Sequence, residues 1–184
     1  MRKGLAVGAV FAAVLLAGCS GGGNTTETTA ASTPAEQPSS PPSSARTAPA
    51  KSLDISDKCG IVAESQWRNL GGDQAPRPRE LEGIAGCGYA AGEAGTDGGW
   101  SVFVGTDPNQ TFKDFVDSSD AEMTEVAGYP AAEVGGVPTN CILVLDVSDQ
   151  GSLAVHTLAR TGNPNPCDLS KQFAEAALQN LPNV

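Results

Sequence analysis

The stretch Cys141-Ile142-Leu143-Val144-Leu145-Asp146-Val147 decides the fold. It is apolar at both alternating sets of positions up to Asp146, the pattern of a strand covered on both faces in the middle of a sheet. Asp149-Gln150-Gly151 supplies a turn, and Leu153 to Ala159 returns as the antiparallel partner. In that partner Leu153 and Val155 point to one face, while Ala154, His156 and Leu158 point to the other.

The segments on either side fit this pair. Downstream, Asn163-Pro164-Asn165-Pro166 ends the second strand. Asn165 caps a last helix, with Pro166 at its first position and Asp168 in a first turn that favours negative charge. Phe173, Ala174, Ala177, Leu178 and Leu181 form its buried stripe, and Pro182 stops it. Upstream, strands are predicted around Ile84 to Tyr89, Trp100 to Val104 and Met123 to Val126. A helix is predicted from Asp107, Pro108 and Gln110 to about Ser118, with Phe112, Phe115 and Val116 on its apolar face. Another is predicted from Asp57 to Leu70, with Cys59 in its first turn, Trp67 as a core anchor and Gly71-Gly72 at its end. Gly71 to Arg79 reads as a turn-rich loop, and Gly128 to Ala132 as a compact stretch of small residues. The expected fold class is α+β: an antiparallel β-sheet with helices packed mainly on one face, held by two disulfides.

The chain's start gives it an address. Arg2 and Lys3 precede an apolar run from Leu5 to Ala17, too short for the ~20 residues a membrane-spanning helix needs, but fitting the core of a secretory signal. The run ends in Leu16-Ala17-Gly18-Cys19, which resembles a bacterial lipobox. That resemblance implies a signal peptide over 1–18, cleavage before Cys19 and diacylation of the Cys19 sulfur. The acyl chains would then hold the protein to the membrane at ~0.8 kcal/mol per buried CH2. Residues 19–50 form a Gly/Ser/Thr/Pro-rich linker expected to be disordered, because it has little apolar surface to offset its ordering entropy. Residues 51–184 form the globular domain, with order beginning near Leu53.

Four cysteines remain: Cys59, Cys87, Cys141 and Cys167. In an exported domain they read as two disulfides with three possible connectivities, of which the sequential one, Cys59–Cys87 with Cys141–Cys167, is preferred for its short loops. Zinc is the rival, but no closely spaced cysteine pair exists and His156 is the only histidine. No metal and no cofactor are expected.

Asp57-Lys58-Cys59, Gly86-Cys87-Gly88-Tyr89, Val126-Ala127-Gly128-Tyr129-Pro130-Ala131-Ala132, Cys141, Asn165-Pro166-Cys167 and Asn180-Leu181-Pro182 follow the lipobox and linker in that order. From Leu53 to the C-terminus the chain resembles the actinobacterial lipoproteins of the DUF3558 family, a domain of unknown function. Two features depart from the family pattern: Tyr89 stands where a tryptophan is associated with the second cysteine, and Gly-Tyr-Pro-Ala replaces a Gly-x-Gly-x-Ala form. At the level of fold alone it also resembles the Mog1/PsbP-like α+β lipoproteins.

The formal charge is −10, and loss of Arg2 and Lys3 with the signal takes the side-chain charge to −12. Such an acidic surface argues against nucleic acid as a partner. Catalysis has little to stand on. His156 lies mid-strand with Asp146 as a possible neighbour, Glu80/Glu82 and Asp117/Asp120 read as solvated surface, and no nucleophile, phosphate-loop or calcium-loop motif is present. The reading is a non-enzymatic cell-envelope lipoprotein on the extracytoplasmic side of the cell membrane, a binding or scaffold domain for an envelope protein. The alternative is a carrier of a lipid or other apolar molecule in a cavity between sheet and helices, lined by Phe103, Phe112, Phe115 or Phe173. A cell-wall hydrolase comes third and would require a catalytic set converging on His156. Replacing Cys19 with Ser should abolish lipid labelling and membrane attachment while leaving the circular dichroism of the domain unchanged; retained labelling would refute the lipobox reading.

Overall fold

A computed structural model describes residues 45–93 and 96–184. Cys19, the signal segment and the linker as far as residue 44 lie outside the described residues. Seven strands, β1 (Arg77–Leu81), β2 (Ile84–Ala91), β3 (Trp100–Asp107), β4 (Glu122–Val126), β5 (Tyr129–Val137), β6 (Asn140–Ser148) and β7 (Gly151–Ala159), form one antiparallel sheet. Their order is β1-β2-β3-β7-β6-β5-β4. Two meanders therefore meet at the β3–β7 seam. The helices are α1 (Glu64–Asn69), α2 (Phe112–Asp117) and α3 (Pro166–Asn180).

The β6–β7 pair is central, with Leu143 opposite Val155 and Leu145 opposite Leu153. These side chains face α3. Phe173 is fully buried there, its ring 5.3 Å from that of Tyr89 and 5.6 Å from that of Trp100. Ala174, Ala177, Leu178 and Leu181 are buried beside it, as the helical stripe predicts. The Thr157 and Ser170 hydroxyls share a buried 2.7 Å hydrogen bond that fixes β7 to α3. Cys59–Cys87 ties the turn before α1 to β2, and Cys141–Cys167 ties β6 to the first turn of α3.

Several elements differ from the sequence prediction. Only Glu64–Asn69 of the predicted first helix is helical. Asp57 accepts the Cys59 N–H at 3.0 Å and Gly60 N–H bonds Asp57 C=O at 3.2 Å, a local turn that competes with helix. Cys59 thus stands before the helix, not in it. Asp107 ends β3 and caps a turn through Asn109 and Gln110, while α2 starts four residues later in a reciprocal cap between Thr111 and Asp114. Strand β1 occupies the predicted loop despite Pro78, because an edge strand tolerates a missing N–H. The small-residue stretch around Tyr129 is the start of the nine-residue β5. Hairpins β1–β2 and β4–β5 both turn through two residues at positive φ, Glu82-Gly83 and Ala127-Gly128, the twist-matched turn that favours glycine second.

Order also begins before Leu53. Thr47 N–H bonds Gly128 C=O at 3.0 Å, the Tyr129 hydroxyl donates to Pro49 C=O at 2.6 Å, and Lys51 N–H bonds Val147 C=O at 2.8 Å. Arg46 pairs with Asp146 at 3.6 Å and with Asp149. Backbone donors and acceptors hold this segment, and composition does not show them.

The second face is covered only in part. Phe103, Ala132, Val144 and Ala154 are buried but lie outside the α3-side cluster, alternating with its members along their strands. Helix α2 packs against β5 and β6 and presents Phe112, Phe115 and Val116, all half-buried. The Phe103 ring lies over Gly86 and Gly105, where a Cβ would come within 2.6 and 2.7 Å of it. Phe173→Ala should cost about 3–5 kcal/mol in a urea titration. Unreduced peptide mapping should recover Cys59–Cys87 and Cys141–Cys167, and removing the second bridge by paired serine substitution should cost about 2–5 kcal/mol.

Candidate binding site

Beyond α2, the described residues leave the second face of the sheet open over β2, β3, β7 and the start of β6. Strand register sets its floor. One row across the strands is Gly88, Phe103, His156 and Ile142, and the next is Ala90, Ser101, Leu158 and Asn140. Leu158 is 56 % exposed, one of few large apolar side chains so displayed. Arg77 and Arg79 rise on the β1 side, opposite Gly88 and Gly86. The missing side chain at Gly88 gives Arg79 room: its Cδ stands 3.6 Å from where a Cβ would be.

Three adjoining clefts share Ser101. One of about 220 Å³ gathers Arg79, Glu82, Phe103, Asn140, Ile142 and His156. One of about 290 Å³ lies between Arg77, Arg79 and Ala90. One of about 400 Å³ runs past Ala90 and Leu158 to Gly92, Gly99 and Thr139. A broader cleft of about 770 Å³ lies at the other end of the strands, but its polar groups are spent on the entry segment. There Thr106 donates to Leu53 C=O at 3.0 Å, and Lys51 Nζ reaches Leu181 C=O at 3.1 Å.

The open face also carries two cations without an ion pair among the described residues. Arg46, Arg68, Lys113 and Lys171 are each ion-paired, to Asp146 and Asp149, Glu64, Asp117 and Glu133 respectively. Arg77 and Arg79 make no ion pair among the described residues. The Ser101 hydroxyl, Asn140 amide and His156 imidazole likewise have no hydrogen-bond partner among the described residues. Burial lowers the His156 pKa, opposed by the Glu82 charge, so burial favours the neutral ring. Elsewhere, burial pushes the Tyr89 phenol well above its ordinary value; it stays a neutral donor to Cys59 C=O at 3.1 Å.

Asp146 does not meet His156. It is paired with Arg46, while His156 stands opposite Ile142 and Phe103. The four phenylalanines do not line one cavity: Phe173 is in the α3-side core, Phe103 is on the other face, and Phe112 and Phe115 are on α2. Among the described residues, Glu133, Cys141 and Cys167 could come together around a metal, but the two sulfurs are bonded to each other. No helix of the described residues is long and apolar enough to cross a membrane. Sequence reasoning missed Arg79, Ser101 and Asn140. Arg77-x-Arg79 is the one local signal, and its prolines hide the strand that aligns it.

Fold and site together define a disulfide-bonded, single-sheet α+β domain with one sheet face partly bare. The chain belongs to the DUF3558 family, described as a protein of unknown function, which matches residues 14–180. No curated protein and no solved structure matches it. The family match begins well before Leu53, where the resemblance was drawn, and takes in Cys19.

Because its folded pKa lies below the unfolded value of about 6.5, His156 should make stability fall as pH drops through that value and level off below the folded pKa. His156→Gln should remove this component. Thermal unfolding at pH 7.5 and pH 5 should therefore show a smaller pH difference in the variant than in the parent chain.

Proposed function

We propose that this chain is a non-catalytic binding domain of the cell envelope, lipid-anchored at Cys19 on the extracytoplasmic side and carried on the linker between Cys19 and Arg46. On this reading the open sheet face is its working surface and a protein of the envelope its partner. The observation that supports the reading best is the set of unspent polar groups on that face, around an exposed Leu158, in a domain that pairs four of its other cations. Exposed apolar surface rimmed by polar groups is characteristic of protein interaction sites.

Its position agrees with the reading. The chain enters beside Gly128 and Val147, at one end of the strands. The largest cleft of the open face reaches Gly92, Gly99 and Thr139, at the other end. Strands of eight or nine residues separate the two by roughly 25–30 Å. A domain tethered at one end would present the face toward the other. The α3-side core, by contrast, is filled by Phe173, which leaves carriage of an apolar molecule without a cavity there.

Site-specific photo-cross-linking in the native envelope tests this. A photoreactive residue in place of Leu158 should give a discrete protein adduct, and one in place of Glu175, exposed on α3, should not. Absence of an adduct from position 158, or equal adducts from both, would overturn the assignment of the face.

A further inference from the structure

Arg79, Ser101, Asn140 and His156 come from four different strands and converge on one cleft of about 220 Å³. All four offer hydrogen-bond donors, and none has a side-chain hydrogen-bond partner among the described residues. Ser101, Asn140 and the neutral His156 can each donate or accept, but the unpaired Arg79 guanidinium only donates, and it marks the place of an absent acceptor. The charge balance narrows its identity. Arg79 lines this cleft and Arg77 the next, Ser101, Asn140 and the neutral His156 contribute dipoles, and the Glu82 carboxylate, which also lines the cleft, offsets one of the two positive charges. A single negative charge suits that set better than a dianion. A guanidinium with neighbouring donors matches the fork of a carboxylate.

The surroundings narrow it further. The clefts are shallow, side by side, and joined at Ser101, which suits successive side chains of an extended segment better than one enclosed small molecule. Leu158 belongs to two of the clefts and Ile142 to one, so apolar side chains flanking the carboxylate have a floor. Strand addition at the adjacent edge is blocked, because Pro76 and Pro78 lack the N–H groups it would use. A segment must then lie across the face.

We propose that this face binds an extended polypeptide segment of its partner through a carboxylate side chain received by Arg79, Ser101 and His156, with apolar neighbours of that side chain seated on Leu158 and Ile142. The proposal rests on the assignment of the open face as the binding surface, and names what that surface reads.

The test uses the full chain carrying Cys19→Ser, observed by amide and imidazole NMR. The probe is the peptide acetyl-Leu-Asp-Leu-Asp-Leu-amide, its isostere with Asn for both Asp residues, and, separately, decanoate. The acidic peptide should shift Ser101, Leu158 and His156, and the Asn peptide should bind at least tenfold more weakly. Arg79→Gln should weaken the acidic peptide by at least tenfold with unchanged thermal stability, since Arg79 is exposed. Arg68→Gln, on α1, should leave binding unaltered. Equal binding of the two peptides, no response to either, or decanoate binding at these residues while the acidic peptide does not, would each overturn the proposal. Cross-linking from position 158 without a response to the acidic peptide refutes the carboxylate alone; loss of that cross-link refutes the binding face itself.

Discussion

Phe173 wedged against Tyr89 and Trp100 is the contact on which the sheet's order depends. Tyr89 is on β2 and Trp100 on β3, so one ring on α3 collects two strands of the first meander. Thr157 and Ser170 fix the same helix to β7, and Cys141–Cys167 fixes it to β6, the second meander. A seven-stranded sheet whose halves meet at a single seam needs such a bracket. At fifteen residues α3 is roughly 22 Å long, enough to cross the middle strands on one face only.

The other face follows from that shortage of helix. The short α2 packs over β5 and β6, whose buried side chains on that face include Ala132 and Val144. Over β2 and β3 no helix of the described residues arrives on this face, and the Phe103 ring folds down onto two glycines instead. Past Phe103 the described residues leave the sheet bare, and there the polar and apolar side chains of the candidate site stand together. The site is thus where the fold runs out of cover, and its donors are unspent because no helix came to use them. Glycine at 86, 88 and 105 serves both purposes, admitting the ring on one side and the Arg79 stem on the other.

The core was legible in the sequence where periodicity was unambiguous: the β6 run, the Leu153–Ala159 partner and the α3 stripe all reappear with the expected faces. Local signals misled where two physical effects competed. Proline at 78 reads as a breaker unless the strand is known to be an edge. Asp107 has the side chain of a cap, but spends it on a turn before Thr111 takes that role. The cysteine pairing was open among three connectivities and the structure has the sequential one. The candidate site was least legible. Arg79, Ser101, Asn140 and His156 are far apart in sequence, and only the register of four strands makes them neighbours. The possible Asp146–His156 contact does not form, because the register sets Ile142, four residues from Asp146, opposite His156, and Asp146 pairs with Arg46, read as linker.

The entry segment has a mechanical consequence. Lys51 bridges Asn183, Ser52 N–H bonds Pro182 C=O, and Val184 N–H bonds Ala50 C=O, so residues 50–52 are stitched to the C-terminus. A pull on the chain before Arg46 meets these bonds and those to Gly128 and Val147 before it loads any strand of the sheet. Six released residues span at most roughly 20 Å at ~3.3–3.6 Å each. Arg46 to Lys51 would thus yield before the α3 bracket, which a disulfide closes.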